Sequence, residues 1–197
     1  MTENVSLALS ELRSLITKAA RGAGLSWGLA EEAGWAAEWL ARRGMPAADW
    51  ATLWLAARLE GDVTPVEIGA SLADEFASDP AMQDIALPDG LVAPGYLLPF
   101  LHRIGQAGTP VSIASPLGQV ALVSVAGDVA FGPSWQLKSD RWRMSPTTSA
   151  EIGFGRASRS SVSGSVLECL DGLALWTTVP QSETSRRDAG STGGDND

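Results

Sequence analysis

The sequence predicts an α+β fold: an N-terminal helical segment packed on a small, mostly antiparallel sheet, with a C-terminal helix and a flexible tail. Three observations predict it. Apolar residues recur at helical spacing over positions 1–60. The period shortens to two between Val111 and Phe131, and a last helical stripe follows Val166.

The first helix rests on Leu12, Leu15, Ile16 and Ala19, one apolar stripe, with Ser10 as candidate N-cap and Gly22 and Gly24 as breakers. A second starts after Ser26. Its stripe is Leu29, Ala33, Ala36 and Leu40; Glu31 and Glu32 stand early, Arg42 and Arg43 late, and Gly44 ends it. Pro46 suits the first turn of a third helix, whose stripe is Trp50, Leu53, Trp54 and Ala57 and whose stop is Gly61. Leu55 and Leu59 lie on its opposite face. Between Pro65 and Pro88 a short helix is expected around Val66–Phe76, then a loop. Pro94 to Gln106 reads as a further helix, with Pro99 marking a kink or a first turn.

Strands follow. Val111 and Ile113 alternate with small residues, and Ser115-Pro116-Leu117-Gly118 carries the proline and glycine of a tight turn. Val120 to Val125 is short enough for a buried strand, Gly127-Asp128 turns again, and Val129 with Phe131 opens another, so an antiparallel meander is expected. Residues 132–165 read as loop plus strand. Val166, Leu170, Leu173 and Thr177 mark the last helix. Residues 1–180 are read as a single α+β domain, in which a chain of this length buries roughly 70 % of its unfolded surface. Residues 181–197 are read as a flexible polar tail without the apolar surface to fold alone.

Composition narrows function. No run of about 20 apolar residues is present, so no membrane span is expected. The opening MTENVSLALSELRS lacks the pattern of a signal peptide. Cys169 is the only cysteine and cannot form an internal disulfide, which suits the cytoplasm. The net charge of −9, with no Lys/Arg block, argues against a nucleic-acid partner.

The residues that could carry chemistry are few. Cys169 and His102 supply one nucleophile and one base, but Cys169 falls on the expected apolar face of its helix, where a thiol behaves as a small hydrophobe. One His and one Cys do not make a zinc site, and no cofactor is indicated. The glycines of Ala20-Arg21-Gly22-Ala23-Gly24 and Gly28 lie between helices rather than after a strand, which points to a helix stop and restart, not a dinucleotide fingerprint. The segment Gly153-Phe154-Gly155-Arg156-Ala157-Ser158-Arg159-Ser160-Ser161-Val162-Ser163-Gly164 is different. Glycines admit a ligand close to backbone N–H groups, arginines offer a donor fork for carboxylate or phosphate, and a helix N-terminus should follow at once. Arg156, Ser158, Arg159 and Ser161, joined by Arg21, are therefore the candidate anion-binding residues. Eight tryptophans are also present; Trp35/Trp39 and Trp50/Trp54 are each one turn apart, and an exposed ring there would mark a partner surface.

The stretches KAARGAGLSWGLAEEAGWAAEWL, EIGFGRASRSSVSG and TTVPQSETSRRDAGSTGGDND together resemble, over nearly the whole chain, a proteobacterial family known as domain of unknown function 3726. In that family the tail runs to a Gly-Ala-Gly repeat before Asp-Asn-Asp; here the stretch is Asp188-Ala189-Gly190-Ser191-Thr192-Gly193-Gly194. The resemblance implies a bacterial cytoplasmic protein and brings no activity, so it transfers no catalytic residue. The opening helices are also similar to those of the non-Rossmann malate/L-lactate dehydrogenase family at Ala23-Gly24-Leu25-Ser26 and Ala30, but that family's Ser-His-Gly signature is missing, His102 being the only histidine. Two readings follow: a protein that binds a small anionic metabolite, or an accessory subunit that docks on a partner protein through its Trp-rich helices.

Overall fold

The chain begins with a strand, not a helix. In a computed structural model, which describes residues 4–78, 84–123, 129–131, 138–147 and 157–177, β1 (Asn4–Ala8) pairs antiparallel with β7 (Arg159–Ser163) as a separate two-stranded sheet. Five residues with only Val5 and Leu7 as large apolar side chains give little local signal, and the partner lies far along the chain. Helix α1 (Leu9–Gly22) follows without a break. Ser10 lies inside its first turn; the cap position is Ala8, whose N–H donates to the Glu11 carboxylate at 2.6 Å. Its inner face is Leu9, Leu12, Ile16, Ala19 and Ala20. Helix α2 (Trp27–Arg42) starts where expected, with the Ser26 hydroxyl accepting from the Leu29 N–H, and ends before Gly44, which takes φ +73°.

Helix α3 (Ala47–Leu59) departs from the expected stripe. Ala47, Ala48, Ala51, Trp54 and Leu55 are buried, whereas Leu53 and Leu59 are exposed. Apolar residues all round this helix make its sequence period ambiguous, and three small alanines set the buried face by allowing close approach. Helix α4 (Pro65–Ser78) carries a reciprocal cap: the Thr64 hydroxyl accepts from the Glu67 N–H, and the Glu67 carboxylate accepts from the Thr64 N–H and hydroxyl. A 3-10 turn (Pro94–Leu97) leads into α5 (Leu98–Gln106), with Pro99 in the first turn. Tyr96 on that turn is fully buried. Its hydroxyl donates to the Ala47 carbonyl at 2.7 Å, its ring meets Trp54 edge-on, and burial pushes its pKa far up.

The second sheet has five antiparallel strands in the order β2 (Ile85–Ala86), β6 (Arg143–Pro146), β3 (Val111–Ser115), β4 (Gly118–Val123) and β5 (Val129–Phe131). The β3–β4–β5 meander is the expected one. Its first turn places Pro116 and Leu117 at the tip, with Leu117 91 % exposed. Strand β6 pairs on the far side of β3. Val111, Ile113, Val120, Val123, Val129 and Met144 are buried, and α5 packs on β3, β4 and β5. Helix α6 (Gly164–Leu175) packs on α1 and α3. Buried residues of all six helices, the 3-10 turn and the sheets form one cluster. No helix of the described residues is long and apolar enough to cross a membrane.

Candidate anion-binding site

The structure does not gather the expected constellation in one place. Arg156 lies outside the described residues, with the glycines before it. Ser158 is exposed just before β7; Arg159 and Ser161 lie in β7, opposite Ala8 and Ser6 of β1. The expected loop plus strand has its strand at Arg159–Ser163, where Val162 is buried between exposed or half-buried serines. A strand separates what a loop could have joined. Arg159 stands at one end of β7 and Ser163, the cap of α6, at the other, about 13 Å away. The α6 N-terminus is itself capped by the Ser163 hydroxyl, which accepts from the Val166 N–H. Arg21 sits at the opposite end of α1 from Ala8, about 20 Å along its axis. Its guanidinium donates to the Leu25 carbonyl and covers the Trp27 ring, so it closes the α1–α2 turn.

Two other arginines stand on α1 and α2, the helices that pack on β7. Helices α1 and α2 pack unusually close at Gly34, where a methyl group would overlap the Thr17 hydroxyl and the Arg13 carbonyl. That approach places Arg13 and Arg42 on one carboxylate: Glu38 accepts from Arg13 at 3.3 Å and from Arg42 at 2.6 Å. The arginine side chains are 50 and 52 % exposed, Glu38 only 22 %, so two guanidinium groups overlie one shielded acid. The Ala157 N–H then donates to the Arg42 carbonyl at 2.7 Å, which docks the start of the β7 segment on the end of α2. Two residues on, Arg159 donates through Nε to the Ser6 hydroxyl and through Nη2 to the Ser6 carbonyl, both at 2.7 Å. Ala8, opposite Arg159, caps α1, so the N-terminus of that helix lies here too, with its cap N–H already taken by the Glu11 carboxylate.

Sequence reading missed Arg13 and Arg42. The Glu38–Arg42 pair has the i,i+4 spacing of a helix surface pair and was legible on that ground. Arg13 gave no signal, since its approach depends on how two helices pack.

The remaining candidates are dispersed. Cys169 is exposed, not on the buried face; α6 turns Leu170, Leu173 and Ala174 inward instead. The three apolar residues Val166, Leu170 and Leu173 fit two neighbouring faces, and packing on α1 chose the one without the thiol. His102, on α5, lies against the Trp39 ring at 5.2 Å, whereas Cys169 is on α6, which packs on α1 and α3. Among the described residues no group of three or more His, Cys, Asp or Glu is placed to hold a metal. Trp39 and Trp54 are buried and Trp35 and Trp50 half-buried. Trp35 meets Phe100 edge-on and lies under Arg103, whose guanidinium makes a two-point contact with Glu32 at 2.7 and 3.1 Å and ties α5 to α2. Among the described residues the exposed tryptophans are Trp27 and Trp176, 65 and 66 % exposed.

Comparison with known proteins gives one result of substance. The family described as "Protein of unknown function (DUF3726)" matches residues 7–77, from the end of β1 through most of α4. The chain resembles that family over this helical part, which includes Arg13, Glu38 and Arg42 and stops short of β7. No curated protein and no solved structure matches.

Proposed function

We propose that this chain, which resembles a family with no assigned activity over its helical part, binds a small anionic metabolite, a carboxylate or phosphate. The site is the corner where α1 begins, α2 ends and β7 starts. The observation that carries the reading is the pairing of Arg13 and Arg42 on the single carboxylate of Glu38, with the backbone that leads into Arg159 docked on the Arg42 carbonyl, in a chain whose net charge is −9. Surplus cations concentrated in an acidic protein attract an anion selectively. Partly exposed guanidinium groups contribute little to stability, of order 0–1 kcal/mol per pair, so stability alone gives weak reason for the cluster. Arg156 flanks the corner in sequence and is proposed as a further donor, with Ser158 and Ser161 as hydroxyl donors; Arg21 is not.

The same charge balance disfavours nucleic acid, since the arginines sit at one corner and not along a stripe. A bacterial cytoplasmic setting is proposed on the family resemblance and the single thiol. Residues 1–180 are proposed as one folding unit and 181–197 as a polar tail. A thermal-shift screen against inorganic phosphate, citrate and nucleotides tests the reading. A ligand at 100 times its dissociation constant stabilises by about 2.7 kcal/mol. That is a shift of roughly 5–10 °C at this chain length. The shift should disappear in Arg42→Ala and Arg159→Ala. A screen without any stabilising anion would refute it.

A further inference from the structure

The Glu38 carboxylate sits between two helices as a bound ligand would. Its oxygens are divided between them: Oε1 accepts from Arg42 Nη2 at 2.6 Å and Oε2 from Arg13 Nη1 at 3.3 Å. A free carboxylate, or two oxygens of a phosphate, would meet the same pair of donors. The arrangement exists because α1 passes close over Gly34, one turn before Glu38 on α2. Both guanidinium groups are half exposed, so the two ion pairs hold the helices together only weakly. Glu11, the other carboxylate near the start of α1, is two residues from Arg13 and so on a different face of the helix. It accepts from the Ala8 N–H and lines the groove between α1 and α6.

We infer, on the reading that this corner binds an anion, that Glu38 is a built-in competitor for the site and restricts its ligands to anions of two or more charges: phosphate, or a di- or tricarboxylate. Glu38 is part of α2, so its carboxylate competes at an effective concentration of about millimolar or more. A monocarboxylate offers the two arginines the same charge and the same two oxygens, and gains nothing by the exchange. Two guanidinium groups sharing one carboxylate leave one positive charge over, and a second negative charge on the ligand doubles the attraction to it. Glu38 is thus a specificity-determining residue that excludes simple monocarboxylates.

Calorimetric titration of the full chain with acetate, inorganic phosphate and citrate tests this, in the wild type, in Glu38→Gln and in Glu31→Gln. The Glu38→Gln amide keeps the shape of the carboxylate and removes its charge. It should bind phosphate about three- to tenfold more tightly than the wild type does. The wild type should bind acetate at least about tenfold more weakly than phosphate. Glu31 is exposed on the same helix, about 10 Å along the axis from Glu38 and roughly a Debye length away at 0.1 M salt. Glu31→Gln removes the same charge there and should leave every affinity unchanged. The weak ion pairs mean that circular dichroism melting of Glu38→Gln should match the wild type. A wild type that binds phosphate, with Glu38→Gln no tighter or Glu31→Gln tighter by the same factor, overturns the inference and leaves the anion reading standing. So does acetate binding as tight as that of phosphate. Phosphate binding by Glu38→Gln alone supports the competitor and refutes the anion reading for the wild type. No binding of any of the three anions by either protein overturns both.

Discussion

At the scale of single residues, two glycines six positions apart answer to different physics. Gly22 meets the Leu173 carbonyl, and a methyl there forces α1 and α6 apart; Gly28, inside α2, has nothing within contact distance. Gly22→Ala should therefore destabilise by about 1–3 kcal/mol. Gly28→Ala should stabilise by roughly 0.5–1 kcal/mol through helix propensity. Urea denaturation of both variants checks the opposite signs. Tyr96 supplies a second test. Its hydroxyl donates to Ala47 from a fully buried position, so Tyr96→Phe should cost about 1–2 kcal/mol. Its folded pKa is raised above the ordinary 10.0, so the folded state keeps the proton that the unfolded state releases. That contribution is complete below pH 10 and declines as pH climbs beyond it. The wild type should lose stability above that pH more steeply than Tyr96→Phe.

At the scale of elements, what was legible depended on whether the signal was local. Helices α2, α4 and α5 and the β3–β4–β5 meander announce themselves through caps, prolines, glycines and period. Strand β1 does not, because its pairing with β7 lies across nearly the whole chain. Helix α3 shows the limit of periodicity: Leu53 and Leu55 are equally apolar in sequence, yet one is exposed and the other fully buried. Leu55→Ala should cost about 2–5 kcal/mol. Leu53→Ala should change stability by less than about 0.5 kcal/mol. Equal effects in a thermal melt would mean that α3 is rotated about its axis.

At the scale of the whole molecule, the candidate site was half visible. Arg159 and its serines could be named from the glycine–arginine–serine run, as could the general expectation of an anion. The partners could not. Arg13 joins the site only because Gly34 lets two helices approach, and Arg21 leaves it because a helix of fourteen residues carries it to the far end. The α6 N-terminus drops out for the same kind of reason, since an extended strand intervenes.

Isothermal titration calorimetry with inorganic phosphate and citrate, at low and at physiological salt, tests the central claim most directly. The account predicts saturable binding of at least one of these anions, weakened by salt because the arginines are half exposed. It further predicts a loss of at least about tenfold in Arg42→Ala and in Arg159→Ala, with Arg21→Ala binding as the wild type does. Equal affinity in the wild type and both corner variants, or a loss confined to Arg21→Ala, would contradict it.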